Sequence, residues 1–285
     1  MIIVIAGPTA VGKTLLSEKL AKKYNGIIIN ADAMQVYRKL NIGTAKVTKE
    51  EMEDVPHYLF DIKNPDEEYS MYDYQIDARN IIDKNLDKSI ILVGGTGLYI
   101  KAALFNYELE KRSIKNNYEG YTNEELYNML KERHMEENVH VNNRNRLISY
   151  LNKSPNNNLK NELLYKDVYF IGLTTNRENL YNRINKRVDI MIENGLIEEV
   201  KDLYEKYGKV KSLNTGIGYK EIIEYLDNHI TKEEAINLIK TRSRHYAKRQ
   251  YTWFNNQMNL KYFNTNYENF EKTIEEVTNY IENNN

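Results

Sequence analysis

The sequence predicts an α/β fold built on a parallel sheet, and three observations carry that prediction. Residues 7–14 read G-P-T-A-V-G-K-T, directly after the apolar run 1–6 and directly before a helical pattern of Leu15, Leu16, Lys19, Leu20 and Lys23. Strand, glycine loop and helix in that order are the context a phosphate-binding P-loop requires. Short apolar, β-branched runs recur at 2–6, 26–30, 89–93 and 168–173, the pattern of strands buried on both faces of a parallel sheet. Longer amphipathic segments separate them, which is the alternation of an α/β domain. The expected architecture is a P-loop NTPase-like core of parallel strands flanked by helices.

Residues 107–165 interrupt the alternation. Leu126 and Leu130, then Leu147 and Leu151, stand at helical spacing, with a polar turn at 153–158. A smaller helical insertion domain is expected there, with the core assembled from 1–106 and 166–285; such an insertion costs little loop-closure entropy. Residues 179–200 read as an amphipathic helix pair. Thr231-Lys-Glu-Glu234 has the spacing of a capping box opening a long C-terminal helix, and 282–285 should fray.

Composition narrows the function classes. A chain of 285 residues, 41% hydrophobic, can bury one large core and a smaller lobe. Forty Lys and Arg against 41 Asp and Glu leave a formal charge of −1, so any nucleic-acid binding must come from a local patch. The absence of cysteine excludes disulfides, thiolate zinc sites and a cysteine nucleophile. The five histidines are scattered, and His134 and His140 lack the one-turn spacing of a helical metal pair. The first apolar run is too short for a signal-peptide core and has no basic flank, and no segment is long enough to span a bilayer. A cytoplasmic protein without membrane association is expected.

The chemistry starts at the loop. Gly7, Pro8, Thr9, Ala10, Val11 and Gly12 would form a turn whose backbone N–H groups, all but the one Pro8 lacks, face an anion, and the following helix adds its positive end. Lys13 would neutralise phosphate charge, and the Thr14 hydroxyl would ligate Mg2+. Asp32 follows the 26–30 strand in N-A-D-A-M-Q-V-Y-R, and the next strand ends in Gly94-Gly-Thr-Gly97. All three segments then fall at carboxyl ends of parallel strands, where α/β folds bind ligands.

The Asp32 carboxylate has three uses there: binding magnesium, acting as base in phosphoryl transfer to a small hydroxyl, or accepting a proton from another nucleophile. A plain turn or helix-capping role competes with these. The 94–97 turn carries no acidic residue where an ATP-hydrolysing P-loop enzyme keeps its magnesium-holding aspartate, which weakens the ATPase reading. Glycines there admit a bulky partner to the backbone. Thr96 presents a hydroxyl at that point or caps the next helix.

Arg183 and Arg187 share a helix face at i, i+4. Arg187, beside Val188 and Met191, is the better polyphosphate contact, while Arg183 equally suits a solvated surface pair. Residues 240–250 read K-T-R-S-R-H-Y-A-K-R-Q, followed by Tyr251, Trp253 and Phe254. Basic residues interleaved with aromatics suit a nucleic-acid backbone beside exposed bases, although a solvated helix face carries the same charge.

Taken together, G-P-T-A-V-G-K-T (7–14), N-A-D-A-M-Q-V-Y-R (30–38), I-G-T-A-K (42–46), V-P-H (55–57), G-G-T-G-L-Y-I (94–100), R-V-D-I-M-I-E-N-G-L (187–196), G-I-G-Y-K-E (216–221) and A-K-R-Q-Y-T-W-F (247–254) resemble the bacterial tRNA dimethylallyltransferases, the IPP transferase family. The resemblance runs nearly end to end. It implies transfer of a dimethylallyl group from dimethylallyl diphosphate to the exocyclic amine of the adenosine 3′ of the anticodon, in tRNAs reading codons that begin with U, with release of diphosphate. By position, it makes residues 9–14 the diphosphate cradle with Mg2+ at Thr14, Asp32 the general base, Thr96 a hydroxyl on the target nucleotide, and Arg187 a diphosphate contact.

It also implies tRNA contacts from Asp32, Ala33, Met34 and Gln35, from Gly218, Tyr219 and Lys220, and from Arg244, Lys248, Arg249, Gln250 and Trp253. The insertion, through Arg146, would grip the anticodon stem-loop. A monomer is expected. Ala33 stands where the family has Ser, Tyr58 where it has a second His, and Ser149 where it has Arg. The insertion is also shorter. Two rivals are a small-molecule kinase using ATP, which needs no basic-aromatic helix, and a non-catalytic RNA-binding module, against which the intact Lys13, Thr14 and Asp32 argue.

Overall fold

The computed structural model describes residues 1–52, 54–111, 118–135, 139–152 and 158–284. Most of the expected 153–158 turn, and Asn285, lie outside the described residues. The chain forms two units, Met1–Leu104 with Leu164–Asn285, and Phe105–Leu163.

The elements run β1 (Ile2–Ala6), α1 (Lys13–Lys23), β2 (Ile27–Asn30), α2 (Lys49–Met52), β3 (His57–Tyr58), α3 (Met71–Asp83), β4 (Ile90–Gly94) and α4 (Gly97–Leu104). The second unit holds β5 (Phe105–Glu108), α5 (Asn123–Glu132), α6 (Arg144–Leu151) and β6 (Asn158–Leu163). The first resumes with β7 (Val168–Thr174), α7 (Arg177–Glu193), α8 (Leu196–Tyr207), α9 (Lys211–Thr215) and α10 (Tyr219–Leu226). It closes with α11 (Lys232–Gln257), β8 (Lys261–Asn264) and α12 (Phe270–Glu282).

Six strands form one sheet in the order β3-β2-β4-β1-β7-β8, with every pair parallel. The sequences IIVIA, IIIN and IILVG of β1, β2 and β4 are buried throughout, as strands covered by helices on both faces must be. Ala6 pairs with Gly94, and Asn30 with Val93. The carboxyl ends of β1, β2 and β4 therefore open side by side. The edge strands β3 and β8 escape the sequence reading because an edge is half solvated and needs no apolar run.

A second core lies where α7, α8, α10 and α11 meet, around Val188, Leu196, Val200, Tyr219, Ile222 and Ile239. The expected helix pair is α7 and α8, hinged on Gly195 at φ +95°, a left-handed conformation that costs glycine little. The α11 capping box is formed: Glu234 N–H donates to Thr231 Oγ1 at 3.2 Å, and Thr231 N–H donates to Glu234 Oε2 at 2.7 Å.

In the second unit, α5 and α6 enclose Leu126, Leu130, Leu147 and Leu151 with Tyr118 and Val139. Arg144 ties this core down by donating to the carbonyls of Tyr121 at 2.6 Å and Tyr118 at 2.8 Å. The unit is not wholly helical, because β5 and β6 pair antiparallel. These strands are short and polar, so spacing rules tuned to apolar runs pass over them. Among the described residues no helix is long and apolar enough to cross a membrane.

The sheet leaves no room at Gly94, where a Cβ would stand 2.2 Å from the Ala31 carbonyl carbon and oxygen. Gly94→Ala should lower unfolding free energy by about 1–3 kcal/mol, the usual scale for overpacking. A urea midpoint equal to wild type would refute the close approach.

Candidate active site

At the end of β1, Gly7 takes φ +141° and lies so close to β7 that a Cβ would meet the Leu173 carbonyl at 2.7 Å. Ala10, at φ +67°, and Gly12, at φ +94°, complete the P-loop. A left-handed alanine is costly and persists only where its surroundings impose it. Arg183 Nε donates to the Ala10 carbonyl at 3.1 Å, and Thr265 Oγ1 donates to the Val11 carbonyl at 3.0 Å. Thr9 N–H donates to Gln250 Oε1 at 3.1 Å, and Lys13 Nζ folds back onto the Pro8 carbonyl at 2.7 Å. Thr14 is exposed in the first turn of α1.

The β2 and β4 turns are laced to one another. Thr96 N–H donates to the Ala31 carbonyl at 3.0 Å, and Ala33 N–H donates to Thr96 Oγ1 at 3.1 Å. Asp32 is oriented locally: its N–H donates to Asn30 Oδ1 at 2.9 Å, and its Oδ1 accepts from Met34 N–H at 2.9 Å. Gln250 Nε2 donates to the Gly95 carbonyl at 3.1 Å. One buried amide from α11 thus bolts the P-loop to the β4 turn. Gln250, expected to meet tRNA, is spent inside the protein.

The site has a cationic side and one facing carboxylate. Burial, then the Arg187 guanidinium, lower the Lys13 ammonium to about 8, with Asp32 opposing. Burial also lowers Arg187, again with Asp32 opposing. Two cations are therefore held together in a partly dry cleft, each short of counter-charge. Arg187 Nη2 donates to the Thr44 carbonyl at 3.2 Å. Arg183 is exposed, and in place of an acidic partner its guanidinium lies 3.8 Å over the Tyr267 ring beside the P-loop.

Tyr246 was invisible to motif reading. Its hydroxyl is within hydrogen-bonding reach of the Thr96 and Gln250 side chains, and burial, then Asp32, hold its phenol above the ordinary range. It remains a neutral hydroxyl beside the Asp32 carboxylate. Its position four residues before Gln250, on the same face of α11, is the signal that would have found it.

The expected tRNA residues divide. Lys248 and Arg249 are exposed, and with Thr252 and Trp253 they line a shallow cavity. The Trp253 ring lies over Gly97, where it leaves no space for a Cβ, so this surface continues into the β4 turn. Lys220 is exposed on α10, and Arg146 is exposed on α6 near the Tyr150 ring at 5.7 Å.

Others face inward. Tyr219 is fully buried and donates to Glu199 Oε1 at 2.7 Å. Gly218, at φ +98°, donates its N–H to Glu221 Oε2 at 2.7 Å, and buried Glu221 pairs with Arg242. Arg244 donates to Asn185 Oδ1 at 2.6 Å and Thr241 Oγ1 at 2.9 Å. Met34 packs on the second core, and Gln35 Nε2 donates to the Thr44 carbonyl at 3.1 Å. Tyr219 and Gly218 thus spend polar groups on internal partners, while half-buried Arg244 is tied to α7 through Asn185. Among the described residues no group of three or more His, Cys, Asp or Glu could hold a metal ion.

The family model described as IPP transferase matches residues 35–257. The chain is 45% identical over 305 residues to the tRNA dimethylallyltransferase of Bacillus anthracis, covering 99% of this chain and 95% of that protein. It is 43% identical over 294 residues to the tRNA dimethylallyltransferase of Macrococcus caseolyticus, covering 97% and 94%. The solved full-length tRNA isopentenylpyrophosphate transferase of Bacillus halodurans superposes with a TM-score of 0.78 at 41% identity, over 99% of this chain and 95% of that one. A eukaryotic dimethylallyltransferase acting on tRNA superposes at 0.79 with 28% identity, over 99% and 79%.

The lowered Lys13 value sets a pH dependence. Below about 8 the ammonium is charged and binds an anion directly; above it, binding must first take up a proton. Relative to Lys13→Met, which shares the titration of the ligand itself, the affinity advantage of wild type for inorganic diphosphate should be constant below that pH and fall by up to about tenfold per unit above it. Calorimetric titration checks this. Lys13→Met should bind weakly at every pH and show no break there.

Proposed function

We propose, because the chain belongs to the IPP transferase family, that it is a tRNA dimethylallyltransferase. It moves the dimethylallyl group of dimethylallyl diphosphate onto the exocyclic amine of the adenosine 3′ of the anticodon, in tRNAs reading codons that begin with U, and releases diphosphate. The observation that carries this reading is the placement of Asp32 opposite Lys13 and Arg187, beside a β4 turn of glycines and Thr96. A cationic side suits a leaving diphosphate, a lone carboxylate suits an acidifying amine, and an acid-free glycine turn admits a base.

The chemistry explains the arrangement. The lone pair of the adenine amine is conjugated with the ring, so the amine is a weak nucleophile. The donor's carbon–oxygen bond must therefore lengthen well toward an allylic cation before the carbon–nitrogen bond forms. Negative charge grows on the departing diphosphate, where Lys13, Arg187 and the helix N-terminus after the P-loop stabilise it. Asp32 takes the amine proton as the new bond forms, its orientation held by the Met34 N–H. Thr96 contacts the target nucleotide from the acid-free turn.

The donor set fits a magnesium ion, since the exposed Thr14 hydroxyl is a hard oxygen ligand and the donor's phosphates supply others. Magnesium, when bound, would add charge neutralisation at the leaving group.

The tRNA side is the surface of Lys248, Arg249 and Trp253, with Lys220 and the Ala33–Gln35 turn. Arg146 serves the anticodon arm from the second unit. Gln250, Gly218, Tyr219 and Arg244 support these contacts from behind. The target base leaves the stack, which costs less in an unpaired loop than in a duplex. One chain carries the cradle, the base and the basic surface, so it works as a monomer, in the cytoplasm with its tRNA.

Wild-type protein given labelled dimethylallyl diphosphate, ATP and unmodified tRNA should label the tRNA from the prenyl donor. Label arriving only from the ATP γ-phosphate, or no label, overturns the assignment. In the same assay Asp32→Asn should slow single turnover about a hundredfold, and an unchanged rate would remove Asp32 from the chemistry. Lys248→Ala with Arg249→Ala should weaken tRNA binding and reduce the slope of log affinity against log salt by about one to two. An unaltered slope would place the phosphate backbone elsewhere.

A further inference from the structure

The two sides of the site meet at one backbone atom. The Thr44 carbonyl accepts from Gln35 Nε2 at 3.1 Å and from Arg187 Nη2 at 3.2 Å. Gln35 belongs to the turn that follows Asp32, and Arg187 to the cationic side. Thr44 lies on a loop of residues 41–46 outside the sheet and helices, closed on itself by Ala45 N–H donating to the Ile42 carbonyl and Lys46 N–H to the Asn41 carbonyl, both at 2.9 Å, so side chains must fix that turn to the rest of the protein.

Glu199 on α8 supplies one such anchor. Its Oε2 accepts from the N–H groups of Asn41 at 3.0 Å and Ile42 at 2.8 Å. Its Oε1 accepts from Gly43 N–H at 3.2 Å and from the Tyr219 hydroxyl at 2.7 Å. Charge-assisted bonds to three successive amides are among the stronger polar contacts available to a loop. Gly43 is required by the same assembly, since a Cβ there would meet the Tyr219 ring at 2.5 Å. Lys46 fastens the far end, with Nζ donating to the Tyr37 carbonyl and to Asp61 Oδ1, both at 2.6 Å.

We propose that Glu199 is a positioning residue for the transfer: by gathering the amides of residues 41–43 it sets the Thr44 carbonyl, which aims the Arg187 guanidinium at the diphosphate and steadies Gln35 at the nucleotide. The naming of those two ligands rests on the function proposed above; the aiming of Arg187 does not. Glu199→Gln is nearly isosteric and diagnostic. Each carboxylate oxygen accepts from two donors, so whichever way the amide turns, its NH2 faces two hydrogen-bond donors and the loop must shift.

The test uses the full chain and inorganic diphosphate, without tRNA or prenyl donor. At pH 7, Glu199→Gln should bind diphosphate about tenfold more weakly, the scale of a displaced bond to a charged group. In an Arg187→Ala background the same substitution should change affinity by less than about twofold, because no guanidinium remains to be misplaced. General destabilisation would lower the melting temperature and weaken binding equally in both backgrounds.

Should Glu199→Gln fail to fold, Tyr219→Phe keeps the ring against Gly43 and removes one of the four bonds to the carboxylate. It should give a smaller loss, equally absent without Arg187. Unchanged diphosphate affinity, or a loss that adds fully to that of Arg187→Ala, overturns the proposal. A wild-type protein that binds diphosphate but prenylates no tRNA would overturn the function while leaving the role of Glu199 intact.

Discussion

The in-register parallel pairing of β2, β4 and β1 is the constraint on which the rest of the site depends. Ala6 opposite Gly94 and Asn30 opposite Val93 bring the P-loop, Asp32 and Thr96 to one edge. The glycine at 94 lets the Ala31 backbone press against β4, so the turns after β2 and β4 exchange hydrogen bonds directly. Gln250, a side chain 241 residues from Thr9 and 155 from Gly95, then locks the P-loop to that pair of turns. Bonds of this separation join the two ends of the chain, and they make the site a product of the complete fold.

That scaffold holds charges in an unfavourable state. Lys13 is depressed by burial and by Arg187, Arg187 by burial, and Ala10 sits in a left-handed conformation. Each costs stability in the free protein, and a polyanion would offset the cost of the two cations. This is the electrostatic preorganisation expected where charge develops on a leaving group, because the cations need not be gathered during the reaction. The same argument explains why the loop of residues 41–46 is so heavily fastened. A guanidinium held only by a carbonyl is only as well placed as the loop that carries that carbonyl.

The long helix α11 serves two environments. Tyr246, Gln250 and Phe254 recur at four-residue spacing and turn inward, while Lys248 and Arg249 project outward. Trp253 lies between these faces, against Gly97. A rigid helix that bolts the donor side from one face and offers cations from the other ties the proposed tRNA surface to the reacting centre without a flexible linker.

Much of this was legible in the chain alone. The P-loop, the four main strands, the α7–α8 pair and the α11 capping box all follow from local rules: φ > 0 at Gly7 and Gly12, unbroken apolar runs in strands buried on both faces, and a Thr three residues before a Glu. Asp32, Thr96, Lys13 and Arg187 could be named because each sits at a fixed offset from such a signal. The inward turn of Tyr219 and Gln250, the tie of Arg244 to Asn185, the presence of Tyr246 beside Asp32, the grip of Glu199 on residues 41–43 and the β5–β6 pair were decided only in three dimensions. A one-dimensional pattern records which residues share a helix face or a strand. Which way that face points, and which partner satisfies it, depends on other segments, from 20 residues away for Tyr219 and Glu199 to 241 for Thr9 and Gln250, that meet only when the core closes.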